Sequence, residues 1–298
     1  MRISGFSMVR NALLLDYPIV ESIRSILPIC DEFVIAIGKG DDGTPDAVRG
    51  IGDPKVRIIE TEWDPSHFVH GKINAVQTNM ALDACTGDWC FYLQADEVVH
   101  EEDLPIIQDA MKRNLDDARV EGLLFDYLHF WGSYETYQTA RNWYRREVRV
   151  VRGGIGVRSW KSAQGFRIDG RKLRVRHSGG RIFHYGWVRH PHRMRRKTIA
   201  LDRLHHEENW VRERHPDPEE PFRYGTLKHL ARYRGTHPAV MRERIAAKDW
   251  KAEDWGADDP GHEHNRLGTR LLTWVENKIL RTRLGEYRNY VLLPEERG

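Results

Sequence analysis

The sequence predicts an α/β fold: a mainly parallel β-sheet flanked by helices, followed by a mainly helical C-terminal extension. Three observations lead there. Over the first 130 residues, short β-rich apolar runs alternate with amphipathic stretches, the rhythm of strands joined by helical crossovers. The 298 residues are 40% hydrophobic and 31% charged, enough for one large globular domain with an appendage. Polar or acidic residues follow each apolar run, and parallel sheets of this kind bind ligands beyond the carboxyl ends of their strands.

The elements read in order as follows. Ile3 to Val9 is a strand. Pro18 to Leu27 is a helix with Pro18 at its start and Ile19, Ile23 and Ile26 on one face. Phe33 to Ile37 (FVIAI) is a buried strand, and Val56 to Thr61 (VRIIET) is another. Gly71 to Cys85 is a helix with a stripe of Ile73, Val76, Met80 and Ala84. Trp89 to Leu93 (WCFYL) is a fourth apolar strand, residues 103–117 are helical, and Gly122 to Phe130 is a strand. Beyond residue 140 the rhythm changes. Arg145 to Val151 alternates as a strand, and two shorter strands, Leu173 to His177 and Arg181 to Tyr185, are separated by Gly179-Gly180. Residues 190–208 form a basic helix, with further helices near 238–248 and 266–282. The domain expectation is a main unit over 1–200, made of halves 1–130 and 131–200, and an extension over 201–298.

Several classes are excluded. No apolar run approaches the ~20 residues of a membrane-spanning helix. The first residues are interrupted by Arg10, Asn11 and Asp16 and do not read as a signal peptide. Three cysteines argue against a disulfide framework and for a reducing cytoplasm. There is no G-x-G-x-x-G and no P-loop motif, so a Rossmann dinucleotide site is not expected. Zinc is not expected at His184, His190 and His192, whose spacing is irregular and which have no cysteine nearby.

The net charge of +3 hides a segregation. Residues 1–140 carry 11 Lys and Arg against 24 Asp and Glu; residues 141–200 carry 18 against two; residues 201–298 carry 18 of each. A cationic block of this density asks for an acidic partner, or else packs against the acidic half.

The candidate site residues follow the strands. Arg10-Asn11 follows the first, Gly38 to Asp46 (GKGDDGTPD) the second, Trp63-Asp64-Pro65 the third and Gln94-Ala95-Asp96-Glu97 the fourth. Met8-Val9-Arg10-Asn11, the strand and turn Val34 to Asp46, and the stretch Thr78 to Glu97 (TNMALDACTGDWCFYLQADE) together resemble the family 2 glycosyltransferases, which have the GT-A fold. The resemblance covers roughly residues 1–130. Members typically show an asparagine-bearing helix, then A-x-G-D-W, then a strand ending in D-A-D-E.

The resemblance implies metal-dependent, inverting transfer of a sugar from a nucleotide-sugar to an acceptor hydroxyl. Asp41 or Asp42 would pair with the base or ribose, and Arg10, Asn11, Asn79, Gln94 and Ala95 would complete the donor contacts. Asp96 matches the last, metal-binding position of the family's D-x-D motif. Gln94 stands in the first position, where the family usually has Asp, so one charge is missing. The cation expected is Mn²⁺ or Mg²⁺, which neutralises the departing nucleoside diphosphate. GT-A enzymes often bring a late histidine to the metal, and His184 in His184-Tyr185-Gly186-Trp187-Val188-Arg189 fits. Trp187 and Arg189 are then candidates for acceptor or phosphate contacts.

Inversion needs a general base. Asp126, Glu147 and Asp169 are the candidate carboxylates, and Glu97 is the catalytic-site carboxylate expected behind Asp96 or placing the acceptor. Glu147 is favoured over Asp126, although Arg145, Arg146 and Arg149 around it also suit an ion pair. The cationic, aromatic-laced block points to an acidic acceptor: a glycan, a lipid-linked glycan at a membrane surface, or a nucleic acid with stacked bases. The alternatives are a glycosyltransferase acting on nucleic acid and a non-catalytic nucleic-acid-binding protein. A nucleotidyltransferase is disfavoured, because Phe6 to Asp16 contains no glycine.

Overall fold

The computed structural model describes residues 1–256, 261–280 and 282–294. In chain order its first half contains β1 (Ile3–Val9), α1 (Ile19–Ile26), β2 (Glu32–Gly38), α2 (Thr44–Arg49), β3 (Val56–Thr61), α3 (Lys72–Asp83), β4 (Trp89–Tyr92), β5 (Glu97–Val99) and α4 (Leu104–Arg113). There follow β6 (Gly122–Trp131), β7 (Thr136–Gln138), β8 (Arg146–Arg152), β9 (Arg158–Trp160), β10 (Gly165–Ile168), β11 (Arg171–Lys172) and β12 (Arg174–Trp187). The remainder is α5 (Pro191–Arg203), α6 (Glu208–Arg214), β13 (Ala231–Arg232), α7 (Arg242–Ala246), α8 (Leu267–Trp274) and β14 (Val291–Leu292).

The sheet has a parallel half and a mixed half. β3, β2, β1 and β4 run parallel in that order. β8 then pairs antiparallel with both β4 and β6, and β12 runs parallel to β6. The reversal at β8 brings its first residues beside the carboxyl end of β4. β9, β10 and β11 form a separate three-stranded sheet.

Helices cover both faces of the parallel half, which explains its continuous apolar strands. Phe33, Ile35 and Ile37 of β2 pack with Ile19, Ile23 and Ile26 of α1 and with Ile107 and Met111 of α4. Val34 and Ala36 point the other way, toward Ala81 of α3 and Phe166 of the small sheet. Each such side chain removed from water contributes about 1.5–3 kcal/mol, so β2 is anchored from both sides.

Two expectations need correction. Residues 173–177 and 181–185 are not separate strands but parts of β12. Its pairing with β6 shifts register between His177 and Arg181, and the bulge absorbs the two glycines. The predicted stripe of α3 is also displaced. Met80 is exposed, whereas Ile73, Asn74, Ala75, Gln77, Thr78 and Ala81 are buried. Half of the buried face of α3 is polar, and Asn74 on it reaches a cavity.

Candidate active site

A cavity of about 320 Å³ opens at the carboxyl ends of β1 and β4. Arg10 and Asn11 line it from the end of β1, Trp63 from the end of β3, and Gln94, Ala95 and Asp96 from the end of β4. His184 and Trp187 enter from β12, Lys197 from α5, and Asn74 from α3. Asn11 has φ of 54°, a conformation asparagine tolerates. Its Oδ1 accepts the Asp41 N–H at 2.8 Å, which ties the turn after β2 to the cavity wall.

Asp96 is the centre of the site's charge. It is buried, and its Oδ2 accepts a hydrogen bond from Lys197 Nζ at 2.9 Å. Lys197 also donates to the Gly186 carbonyl at 2.7 Å. Arg189, itself fully buried, places a guanidinium nitrogen 3.7 Å from Oδ2. Burial alone would push the Asp96 carboxyl up, but Lys197 first, then His184 and Arg189, outweigh it and hold the group well below the usual carboxylate range. Burial, reinforced by Arg189, brings the Lys197 ammonium down to about 8. Gly186 is required here, because a Cβ would overlap the His184 ring and lie 3.0 Å from Asp96 Oδ2.

The other oxygen, Asp96 Oδ1, lies 3.8 Å from His184 Nε2. Hydrogen bonding fixes what that nitrogen presents. His129 Nε2 lies 2.8 Å from the Tyr144 carbonyl, which can only accept, so Nε2 carries the proton. Burial keeps His129 well below its ordinary pKa and thus neutral. Its Nδ1 then accepts from His184 Nδ1 at 2.9 Å. Burial also lowers His184, to about 4. The neutral His184 therefore turns an Nε2 lone pair toward Asp96 Oδ1. A lone pair and a carboxylate oxygen facing one another at this distance form a donor pair that fits a divalent cation. Among the described residues no third carboxylate, imidazole or thiolate completes a protein-only cluster.

A second cavity, of about 330 Å³, adjoins the first across Gln94, which lines both. Tyr144, Arg146 and Glu147 enter it from the start of β8, Trp160 and Lys161 from the end of β9, and Tyr287 and Asn289 from the C-terminal segment. Glu147 is buried, and burial raises its carboxyl above the ordinary value. It has no arginine ion pair among the described residues: Arg145 pairs with Glu286, Arg146 with Asp126 and Arg149 with Glu97. The ion-pair reading of Glu147 is thereby overturned.

The remaining predicted residues lie elsewhere. Asp126 pairs with Arg146 at 2.7 Å and lies 3.5 Å from His177; it lines neither cavity. Glu97 is fully buried beneath the 94–96 turn. It accepts two hydrogen bonds from Arg149 at 2.8 Å, one from the Tyr127 hydroxyl at 2.8 Å and one from the Gln94 N–H at 3.0 Å. It braces the turn. Asp42 accepts from the Leu14 and Thr44 amides, and Asp41 is exposed; both belong to the turn behind Asn11 and do not line the first cavity. Asn79 Oδ1 accepts the Ser159 N–H at 2.8 Å and joins α3 to β9. Trp187 stacks on Trp131 at 4.8 Å in the cavity wall.

The profile of glycosyl transferase family 2 matches residues 18–190. The chain belongs to this family. Its mostly parallel, curled sheet between helices is the GT-A arrangement, as expected. The glycosyltransferase is similar to a fragment of Staphylococcus aureus TarS, residues 1–349, at 12% identity over 71% of this chain and 68% of that one, with a TM-score of 0.39. It is also similar to glucosyl-3-phosphoglycerate synthase from Mycobacterium tuberculosis, solved with Mn²⁺, UDP and glucosyl-3-phosphoglycerate, at 18% identity over 44% and 45% of the two chains, TM-score 0.31. A third is the mannosyltransferase PcManGT from Pyrobaculum calidifontis, solved with GDP-Man and Mn²⁺, at 24% identity over 43% and 36%, TM-score 0.31. The match spans less than half the length of these last two proteins. No curated protein matches the chain.

Within this glycosyltransferase the charge segregation resolves into pairing between the halves. Arg149 meets Glu97, Arg171 and Arg174 meet Glu121, Arg176 meets Asp117, Arg181 meets Asp103, and Lys197 meets Asp96. Much of the basic block is therefore the complement of the acidic half. Among the described residues, no helix is long and apolar enough to cross a membrane, and the three cysteines are free thiols.

Lys197, Tyr17, Asn74 and His129 are site residues that the sequence did not single out. A signal existed for Lys197. It stands three residues after Met194 and four before Leu201, on the inward stripe of α5, where a lysine has no apolar reason to be.

Proposed function

We propose that the enzyme transfers a sugar from a nucleotide-sugar, bound in the first cavity, to an acceptor hydroxyl presented in the second, with inversion at the anomeric carbon. The observation that carries this reading is Gln94, which lines both the cavity of the Asp96–His184 pair and the cavity of Glu147. Donor chemistry and a buried carboxylate thus flank one residue. Asp96 Oδ1 and His184 Nε2 would hold Mn²⁺ or Mg²⁺, with phosphate oxygens and water as the other ligands; the imidazole favours Mn²⁺. When bound, the cation supplies Lewis-acid stabilisation of the departing diphosphate.

The residues of the chain supply the rest. Arg10 and Lys197 face the cavity and offset phosphate charge. Trp63 and Asn11 sit where the nucleoside enters. Glu147 accepts the proton of the acceptor hydroxyl while that hydroxyl's oxygen attacks the anomeric carbon. The C–O bond to the diphosphate breaks as the new glycosidic bond forms. A carboxyl raised by burial suits a base at neutral pH. Arg146 and Lys161 on the second cavity favour an acceptor with an acidic group, such as a glycan phosphate or uronate. Free thiols suit a cytoplasmic setting.

Titration with a panel of nucleoside diphosphates in the presence of Mn²⁺ tests the donor site by thermal shift. At least one should stabilise the protein, and Asp96→Ala should abolish the effect. If none stabilises it, or if Asp96→Ala leaves the shift intact, the reading fails.

A further inference from the structure

The C-terminal segment is amphipathic in the reverse sense. α8 continues as a π-helix, Val275–Leu280, and turns its polar side chains toward the body of the protein. Thr273 Oγ1 accepts the Arg141 N–H at 3.1 Å. Glu276, which is buried, lies 3.3 Å from the Arg141 guanidinium and accepts the Leu284 N–H at 3.2 Å. Asn277 donates to the Thr139 carbonyl at 3.4 Å. The apolar residues are exposed, on the open side of a groove whose other wall is residues 138–140 and 229–231. Leu267, Leu271 and Trp274 occupy positions i, i+4 and i+7 of one stripe and are 79%, 64% and 55% exposed. Further along the segment Ile279, Leu284 and Tyr287 are 60%, 59% and 73% exposed.

This concentration is local. Of the 18 exposed large hydrophobic residues among the described ones, ten lie between Leu267 and Leu292. A concentration of exposed apolar side chains of this kind marks an interaction surface. The charge around it indicates the partner. Residues 266–292 contain six Lys or Arg and two Glu. Both glutamates are engaged inward, Glu276 with Arg141 and Glu286 with Arg145 at 3.4 Å. Two of the cations also turn inward, Arg283 to the Thr139 and Trp143 carbonyls and Arg270 toward His229, which leaves, among the described residues, Arg266, Lys278 and Arg288 exposed beside the apolar side chains, Trp274 and Tyr287 among them. Leucine and tryptophan flanked by basic side chains is the composition of a helix lying in the interface of an anionic bilayer. A protein partner of ordinary composition would not require both acids to be turned away.

We propose that the face formed by α8 and the segment after it docks on an anionic lipid surface. The inference stands on this segment alone and does not depend on the donor-site reading. It has one consequence for the active site. Tyr287 lies on the exposed face and also lines the second cavity, so docking brings the mouth of that cavity to the level of the lipid headgroups.

The test is co-sedimentation of the full chain with vesicles of phosphatidylcholine, alone or mixed with phosphatidylglycerol. The protein should pellet with the mixed vesicles, and raised salt should weaken the binding. Leu271→Glu with Trp274→Glu should reduce partitioning by about tenfold or more, because it removes apolar insertion and adds like charge. Lys278→Gln with Arg288→Gln should reduce it on mixed vesicles only. Unchanged thermal unfolding of each variant establishes that the fold is intact. The proposal is overturned if wild-type protein pellets with neither vesicle, if the Leu271 and Trp274 variant binds as well as wild type, or if light scattering shows a dimer that this variant dissolves, since the face would then be covered by a second copy.

Discussion

Lys197 Nζ sits 2.9 Å from Asp96 Oδ2, both groups buried, although the two residues are 101 positions apart. The pair holds Asp96 by one oxygen and leaves the other directed at His184. Removing the lysine leaves a buried carboxylate with only the more distant Arg189 beside it. Lys197→Met should therefore cost about 3–5 kcal/mol of stability in denaturant unfolding. Adding Asp96→Asn should recover much of that loss, since the uncompensated charge is gone. It should not recover nucleoside diphosphate binding. Equal stability of the single and double variants would show that the pair is not coupled.

The folded state should lose stability at mildly acidic pH through His184. Burial brings this group to about 4 in the folded chain, against 6.5 in its unperturbed form. Between those values the unfolded chain binds more protons, so stability rises with pH across the window and is lost as pH falls from 6.5 toward 4. The shift corresponds to about 3 kcal/mol. His129 is lowered for the same reason and acts in the same direction. Chemical unfolding measured from pH 4 to pH 7 should show a slope that His184→Gln reduces and His184→Gln with His129→Gln reduces further. An unchanged slope in both variants would mean that neither ring is buried as a neutral base.

The parallel half of the fold was legible because its signals are local. β1 and β3 have the boundaries read from their apolar runs, and the polar residues after each strand do converge on one edge. Asp96 and His184 could be singled out because each follows a recognisable run. What escaped was set by pairing across the chain. The Arg149–Glu97 brace depends on β8 running antiparallel beside β4, and nothing in either segment announces that partner. Lys197 was hidden in a basic helix, where a cation reads as solvent-facing. The two glycines of β12 looked like a break because a bulge and a turn share the same local chemistry. The charge segregation was visible, but whether it serves a ligand or the fold depends on contacts that only the folded chain displays.

Glu147 and Asp126 are separated by their surroundings, and kinetics should separate them too. Glu147 is buried, has no arginine partner among the described residues and opens to the second cavity; Asp126 is half-exposed and paired with Arg146. Glu147→Gln should lower kcat by about a hundredfold or more, in the range lost with a general base, while nucleoside diphosphate affinity stays near wild type. Asp126→Asn should change kcat by no more than a few-fold. The reverse ranking would remove Glu147 from the chemistry.

The relay from Tyr144 through His129 to His184 makes the most specific prediction. Each hydrogen bond in it fixes the next: the Tyr144 carbonyl accepts from His129 Nε2 and so holds the proton there, which frees Nδ1 to accept from His184. His129→Phe removes the acceptor, so His184 can rotate or adopt the other tautomer, in which Nε2 carries hydrogen and repels a cation. Such outer partners of a ligating histidine are typically worth 10–100-fold in metal affinity. Mn²⁺ binding, read from the loss of the free-ion signal in electron paramagnetic resonance, should weaken by about that factor in His129→Phe. It should be partly restored in His129→Gln, whose side-chain oxygen can accept the same hydrogen bond. Equal Mn²⁺ affinity in wild type and His129→Phe would show that the orientation of His184 does not depend on the relay, and binding lost in His129→Phe but not in His184→Ala would show that the ion sits elsewhere.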